Sequence, residues 1–247
     1  LEALRLGYMK LFVTLLLLCL PLQRLSASAD EAGERLIAHV MASIDNANKG
    51  FSKVSKEILE IDGMSSAKNR HLLNNLCSLQ NTVYLEIGAW KGSTWISALY
   101  QNERSINEAV AIDNWMWAEF GGSEVEFVRN CERFLTTNNY HYYSSDAFKI
   151  RKDHLFRHPV NIYFYDGDHS IISQELALTY FDEILDDVFI LVVDDWNWGE
   201  VRSGTFNAFS KLQYHVLFSI ELPARYNGDL DNWWNGVFVA VIRKRHA

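Results

Sequence analysis

The chain is short of cysteine, short of proline and short of basic charge. Three cysteines in 247 residues cannot build a disulfide framework. Three prolines and 13 glycines exclude collagen-like and proline-rich classes. Lys and Arg number 23 against 31 Asp and Glu, a formal charge of −8, which argues against nucleic acid as a partner because duplex binders present a basic face. No Asn-x-Ser/Thr sequon occurs, which leans toward a bacterial exported protein over a glycoprotein. No apolar run reaches the roughly 20 residues a membrane span requires. What is present is 49% hydrophobic residues, enough for a packed core and inconsistent with wholesale disorder.

The first 29 residues read as an address, not as fold. Leu1 is an odd first residue, and Met9 is the expected start. Met9-Lys10 is followed by the apolar run Leu11–Leu22 and then Ser26-Ala27-Ser28-Ala29. A positive charge, a short apolar stretch and an Ala-x-Ala ending predict a secretory signal peptide cut after Ala29. The expected location is therefore periplasmic or secreted, and cytoplasmic if the segment does not act as a leader. Loss of Arg5, Lys10 and Arg24 together with Glu2 takes the charge to −10. Of the cysteines, Cys77 and Cys131 remain, both in apolar helical contexts that favour buried thiols.

Beyond Ala29, helical spacing comes first. Leu36, Ile37, Val40, Met41 and Ile44, then Val54, Ile58, Leu59 and Ile61, recur at helical intervals on either side of Asn48-Lys49-Gly50. Ser65 and Ser66 are placed to cap a third helix over 67–79. Residues 30–79 are thus expected as an N-terminal helical cap and 80–247 as the main domain. Strands are predicted at Val83–Ile87, Ala109–Ile112, His141–Ser144, Asn161–Tyr165, Val188–Val193, Tyr214–Ile220 and Gly236–Ile242. Helical segments separate most of them, at Thr94–Gln101, Ser123–Thr136, Ile171–Leu185 and Ser203–Lys211. Such alternation predicts an α/β fold with a Rossmann-like, doubly wound, mainly parallel seven-stranded sheet. The short connection before the last strand predicts an antiparallel C-terminal hairpin.

Ligands of open α/β sheets bind outside the carboxyl ends of the strands. Those ends are acidic here: Glu86, Asp113, Asp166, Asp168, Asp194 and Asp195. The first turn, Glu86-Ile87-Gly88-Ala89-Trp90-Lys91-Gly92, spaces its glycines four apart, where dinucleotide-binding turns use Gly-x-Gly-x-x-Gly. An acid two residues before Gly88 fits a ligand carrying an amino group better than a pyrophosphate. Asp113, at the next strand end, suits ribose hydroxyls.

These residues resemble the class I S-adenosylmethionine-dependent methyltransferases, from about Leu72 to the C-terminus. The resemblance implies that Glu86, Gly88 and Gly92 contact the methionine part of S-adenosyl-L-methionine. It also implies that Asp113, Asn114 and Trp115 lie beside the adenosine, with Asp146 of Ser145-Asp146-Ala147 on the adenine side. Tyr165-Asp166-Gly167-Asp168-His169 and Val193-Asp194-Asp195-Trp196 are similar to the metal-dependent sugar O-methyltransferases of the macrocin type. That likeness implies Mg²⁺ on Asp166, Asp194 and Asp195, and Asp168 as general base with His169 its neighbour. The Pro-Gly-Gly turn usual before the fifth strand is replaced by Leu185-Asp186-Asp187-Val188.

Elementary electrostatics supports an ion there. Carboxylates crowded on adjacent strand ends repel unless a cation or a proton intervenes. An oxygen-only set suits a hard ion such as Mg²⁺. The expected partner is a small hydroxylated substrate, no lasting membrane span is foreseen after Ala29, and self-association is not excluded. Two other readings stay open. Asp166-Gly167-Asp168 also reads as the Asp-x-Asp motif of a metal-dependent secretory-pathway glycosyltransferase, and the scaffold also fits a non-catalytic exported protein. Trp196 and Trp198 are expected to line an acceptor pocket, with Trp233 and Trp234 divided evenly between pocket and core. His154 and His158, four apart, read as a solvated face rather than a zinc site.

Overall fold

A computed structural model of the chain describes residues 30–116, 124–136 and 139–245. The expected leader lies outside them. Seven strands form one sheet: β1 Thr82–Ile87, β2 Ile106–Asp113, β3 Tyr140–Ser144, β4 Val160–Tyr165, β5 Leu185–Val193, β6 His215–Leu222 and β7 Val237–Arg243. Their order is β3-β2-β1-β4-β5-β7-β6. The first five are parallel, and β7 runs antiparallel between β5 and β6. The expected fold class, hairpin included, is the observed one.

The helices are α1 (30–48), α2 Lys56–Leu59, α3 Ala67–Leu76, α4 Ser93–Leu99, α5 Glu124–Phe134, α6 Ile171–Thr179 and α7 Gly199–Leu212. Central strands are mostly apolar because both faces of the sheet are covered. Alternate side chains sort to opposite faces. Tyr84, Ala111, Phe164, Val192 and Val239 meet Leu36, Val40, Leu72, Leu76 and Trp95 of the earlier helices. Leu85, Ile112, Tyr163, Leu191 and Phe238 meet Leu178, Val201 and Ala208 of α6 and α7. The N-terminal helices therefore complete one outer layer of the core. α4 is buried along its whole length, with α3 packed against it.

Arg70 of α3 is buried, and its guanidinium donates to the carbonyls of Leu59 (3.1 Å) and Ile61 (2.8 Å) and to Ser65 Oγ (2.9 Å). Burial lowers its pKa to about 10 against the opposing pull of Asp62. This clamp shapes the α2–α3 connection, which presses on the start of α4: a Cβ on Gly63 would lie 1.9 Å from Ser93 Oγ.

The largest shortening of a helix against its pattern is in α6. The expected helix Ile171–Leu185 stops at Thr179, and β5 begins at Leu185 instead of Val188. Phe181 turns fully into the core, and Leu185 pairs with Val160 of β4, so sheet formation claims residues whose spacing also suits a helix. Cys77 and Cys131 are buried free thiols. Among the described residues, no helix is long and apolar enough to cross a membrane.

Strand register sets the site. Ile87 pairs with Ile112 on one side and Tyr165 on the other, and Tyr165 pairs with Val193. The four strands end level, so the residues that follow them open onto one rim.

Candidate active site

Glu86 is the penultimate residue of β1 and has no exposed surface. Tyr84 Oη donates to its Oε2 (2.6 Å) and Thr94 Oγ1 to its Oε1 (2.7 Å). Burial pushes its pKa up to about 7; the two hydrogen bonds oppose that rise and Asp113 adds to it. Gly88 follows at φ 90°, and a Cβ there would lie 1.9 Å from the Asp166 carbonyl oxygen. Glycine is thus required where the turns after β1 and β4 cross. Gly92, at φ 85°, caps α4 beneath the Phe127 ring.

Asp113 ties two turns together. Its carboxylate accepts the Trp90 backbone N–H (2.8 Å) and the Trp115 backbone N–H (2.7 Å). Trp115 Nε1 then donates to the Trp90 carbonyl (2.7 Å). Both tryptophans sit at positive φ, 43° and 45°, which bulky side chains rarely adopt without compensation. The enclosed indole N–H of Trp90 has no partner among the described residues. A buried donor without an acceptor is costly, and it fits a ligand bringing acceptors to this turn. Asn114 accepts from Met116 N (3.0 Å), and the Trp115 ring packs on Phe127 and Tyr142. Asp146 caps a short 3₁₀ turn through Phe148 N (2.9 Å). The Lys149 ammonium, first, and that backbone bond, second, hold its carboxyl below the ordinary range.

The second cluster follows β4 and β5. Asp166, His169 and Asp195 bring one donor atom each within 4.8 Å of one another. His169 Nε2 lies 2.6 Å from Asp195 Oδ2, and Asn235 Nδ2 donates to Asp195 Oδ1 (2.5 Å). Asp195 holds φ 57°, and the Trp198 ring stands edge-on to His169 at 4.3 Å. Burial, first, and then Asp194, Asp195, Glu86 and Asp113 push the Asp166 carboxyl well above its ordinary value. The close approach of Gly88 to the Asp166 backbone sets the turn after β1 directly against this second cluster.

The expected trio Asp166, Asp194 and Asp195 is not the set whose donors converge. Asp194 is buried, with Asn69 Nδ2 at 3.5 Å from its Oδ1, and His169 is the third member of the converging set. Asp168 is exposed, and its Oδ1 accepts from Ser170 N (3.0 Å) at the start of α6. Its partial burial works upward, but hydrogen bonds from Ser170 and Ser173 prevail and leave its pKa below the ordinary value. A carboxylate so committed is a weak proton acceptor.

Trp196 corrects another expectation. It is 2% exposed and stacks on Phe238 at 4.2 Å, a core residue instead of a pocket wall. Trp198 does reach the site, through His169. Trp233 is buried in the core, with the Lys68 ammonium 5.9 Å from its ring centroid, and Trp234 is half-buried. The exposed His158 pairs with Glu108, and the exposed His154 with Asp153. Sequence reasoning missed Tyr84, Thr94, Asn69 and Asn235. Only Tyr84 and Thr94 lie near their partner in sequence. Asn69 and Asn235 arrive through the fold, on α3 and on the β6–β7 loop. That loop is strapped to the start of α3, where Ser66 Oγ donates to the Asn232 carbonyl and Lys68 Nζ to Asn232 Oδ1.

No family model and no curated protein matches this sequence. Solved structures do match the fold. An O-methyltransferase from Bacillus cereus in complex with S-adenosylhomocysteine is 12% identical, covering 82% of this chain and 91% of that one at a TM-score of 0.51. The N-methyltransferase NodS from Bradyrhizobium japonicum, also with S-adenosylhomocysteine, is 12% identical over 83% of this chain and 99% of its own, at a TM-score of 0.51. The chain therefore has the Rossmann-like fold of those two methyltransferases.

Proposed function

We propose that the chain is an S-adenosylmethionine-dependent O-methyltransferase acting on a hydroxyl of a small molecule or sugar, with a divalent ion at the second cluster. The observation that carries this reading is the meeting of two groups on one rim: the Glu86–Asp113 turns and the Asp166–His169–Asp195 trio. Fold likeness to two structures that hold S-adenosylhomocysteine supports it.

Glu86 and Asp113 supply negative charge and acceptors for an ammonium and for ribose hydroxyls. The Trp90–Trp115 bridge fixes the adenosine side before any ligand arrives, which lowers the ordering cost of binding. S-adenosylmethionine, when bound, supplies an electrophilic methyl on a sulfonium; the acceptor oxygen gains that methyl and gives up its proton to solvent water, and S-adenosylhomocysteine leaves. An ion held by Asp166, His169 and Asp195 would act as a Lewis acid, lowering the pKa of an acceptor hydroxyl. Trp198 stands edge-on to His169 and is the ring an acceptor would meet beside that cluster. Asp166 contributes to the cluster while Asp168 accepts from Ser170 N ahead of α6, which favours this reading over an Asp-x-Asp pair.

Calorimetric titration of the full chain with S-adenosylhomocysteine tests the reading. Binding is expected, and Asp113→Ala is expected to weaken it about tenfold or more, the loss of a charge-assisted contact. A wild-type chain that takes up no S-adenosylhomocysteine ends the proposal. The export expected of residues 9–29 goes with it as a separate proposal. Recovery of a tagged full chain solely from the cytosol would remove export and leave the chemistry standing.

A further inference from the structure

The fold places an imidazole where the sequence promised only oxygen. Asp166 follows β4, Asp195 follows β5, and His169 lies between β4 and α6. Their donor atoms, two carboxylate oxygens and one ring nitrogen, lie within 4.8 Å of one another. The frame around them is set. Asn235 Nδ2 occupies Asp195 Oδ1, which leaves Oδ2 to face His169 Nε2 at 2.6 Å. Trp198 holds the His169 ring edge-on, with the planes at 90°. The Asp166 carbonyl is packed against Gly88, which fixes the backbone of the third donor.

This donor set does not fit Mg²⁺ well. Mg²⁺ binds one or two carboxylates, keeps its waters and has little affinity for imidazole. Imidazole beside carboxylates suits first-row transition metals, whose affinities rise from Mn²⁺ to Co²⁺ at such sites. Three protein donors also leave coordination positions open for water or an acceptor oxygen.

We propose that the rim holds a first-row transition-metal ion through Asp166, Asp195 and His169 Nε2, in preference to Mg²⁺. The proposal deepens the metal part of the proposed function and rests on it. It makes His169 a ligand, where the sequence resemblance implied only a neighbour of the base.

The test is metal binding by the full, metal-stripped chain, followed by calorimetry with Mg²⁺, Mn²⁺ and Co²⁺ and by the visible absorption of bound Co²⁺. Wild type is expected to bind Mn²⁺ about tenfold or more tighter than Mg²⁺, and Co²⁺ tighter still. His169→Ala and His169→Gln are expected to lose most of that preference, with Co²⁺ affinity falling about tenfold or more and Mg²⁺ affinity little changed. The Co²⁺ spectrum should shift as nitrogen leaves the ion. S-adenosylhomocysteine binding by the same samples reports that the variants are folded. Equal affinity for Mg²⁺ and Mn²⁺, or a Co²⁺ spectrum and affinity unmoved by His169→Ala, overturns the proposal. Uptake of no ion by wild type overturns it as well, together with the metal dependence, while the cofactor half is judged separately by S-adenosylhomocysteine.

Discussion

Glu86 shows how a single side chain can be both well bonded and uncomfortable. It accepts from Tyr84 and Thr94, yet complete burial still lifts its pKa to about 7 from an ordinary 4.5. Between those two values the folded protein keeps a proton that the unfolded chain has released. Stability therefore falls as pH rises through that window and levels off above it, by about 3 kcal/mol in all. Glu86→Gln removes this dependence. In urea unfolding at pH 5 and at pH 8, the variant is expected to gain on wild type at the higher pH. A gap that stays constant across that range would mean Glu86 is ionised throughout. Glu86 was legible in the sequence as a residue at a strand end beside two glycines. Its bonding was only half legible, because Tyr84 and Thr94 lie close by but nothing in their spacing tells that both hydroxyls turn inward.

At the scale of elements, α6 decides the fate of Asp168. Ser170 is the N-cap of that helix and accepts from Ser173 N, while Asp168 accepts from Ser170 N one step earlier. The Tyr165–His169 segment thus divides its acids: Asp166 faces the rim and Asp168 is bonded to the cap residue of the helix. Asp168→Asn keeps an acceptor for Ser170 N and is expected to leave turnover within about tenfold of wild type, whereas loss of a true general base costs roughly 10²- to 10⁴-fold. A steady-state assay that finds the larger loss would restore the base role. Residues two apart in a motif look equivalent in sequence, and only the position of the helix start separates them. The same limit hid the end of α6. Leu185 fits the helical spacing as well as the strand, and its pairing with Val160 settles the matter. Trp196 was misread for a related reason, since its place directly after two acids says nothing of Phe238 stacking on it from β7.

Over the whole molecule, fold class was the most legible feature. Apolar runs separated by helical spacing, with a short connection before the last strand, predicted seven strands and a closing hairpin, and that is the observed topology. The rim was legible too, because parallel strands of similar length end at one level and carry their acids with them. What the sequence could not carry was contact between distant segments: Asn69 from α3 beside Asp194, Asn235 from the last loop on Asp195, and the Asn232 strap to Ser66. Those contacts fasten α3 and the β6–β7 loop to the acids of the rim and to each other.

The claim that joins nucleoside and ion is proximity, and a paramagnetic ion measures it. With S-adenosylhomocysteine bound to the full chain, Mn²⁺ is expected to enhance the proton relaxation of the ligand strongly, while diamagnetic Mg²⁺ at matched occupancy does not. Ligand that stays bound with its relaxation unmoved by bound Mn²⁺ would put nucleoside and ion in separate places and contradict the account.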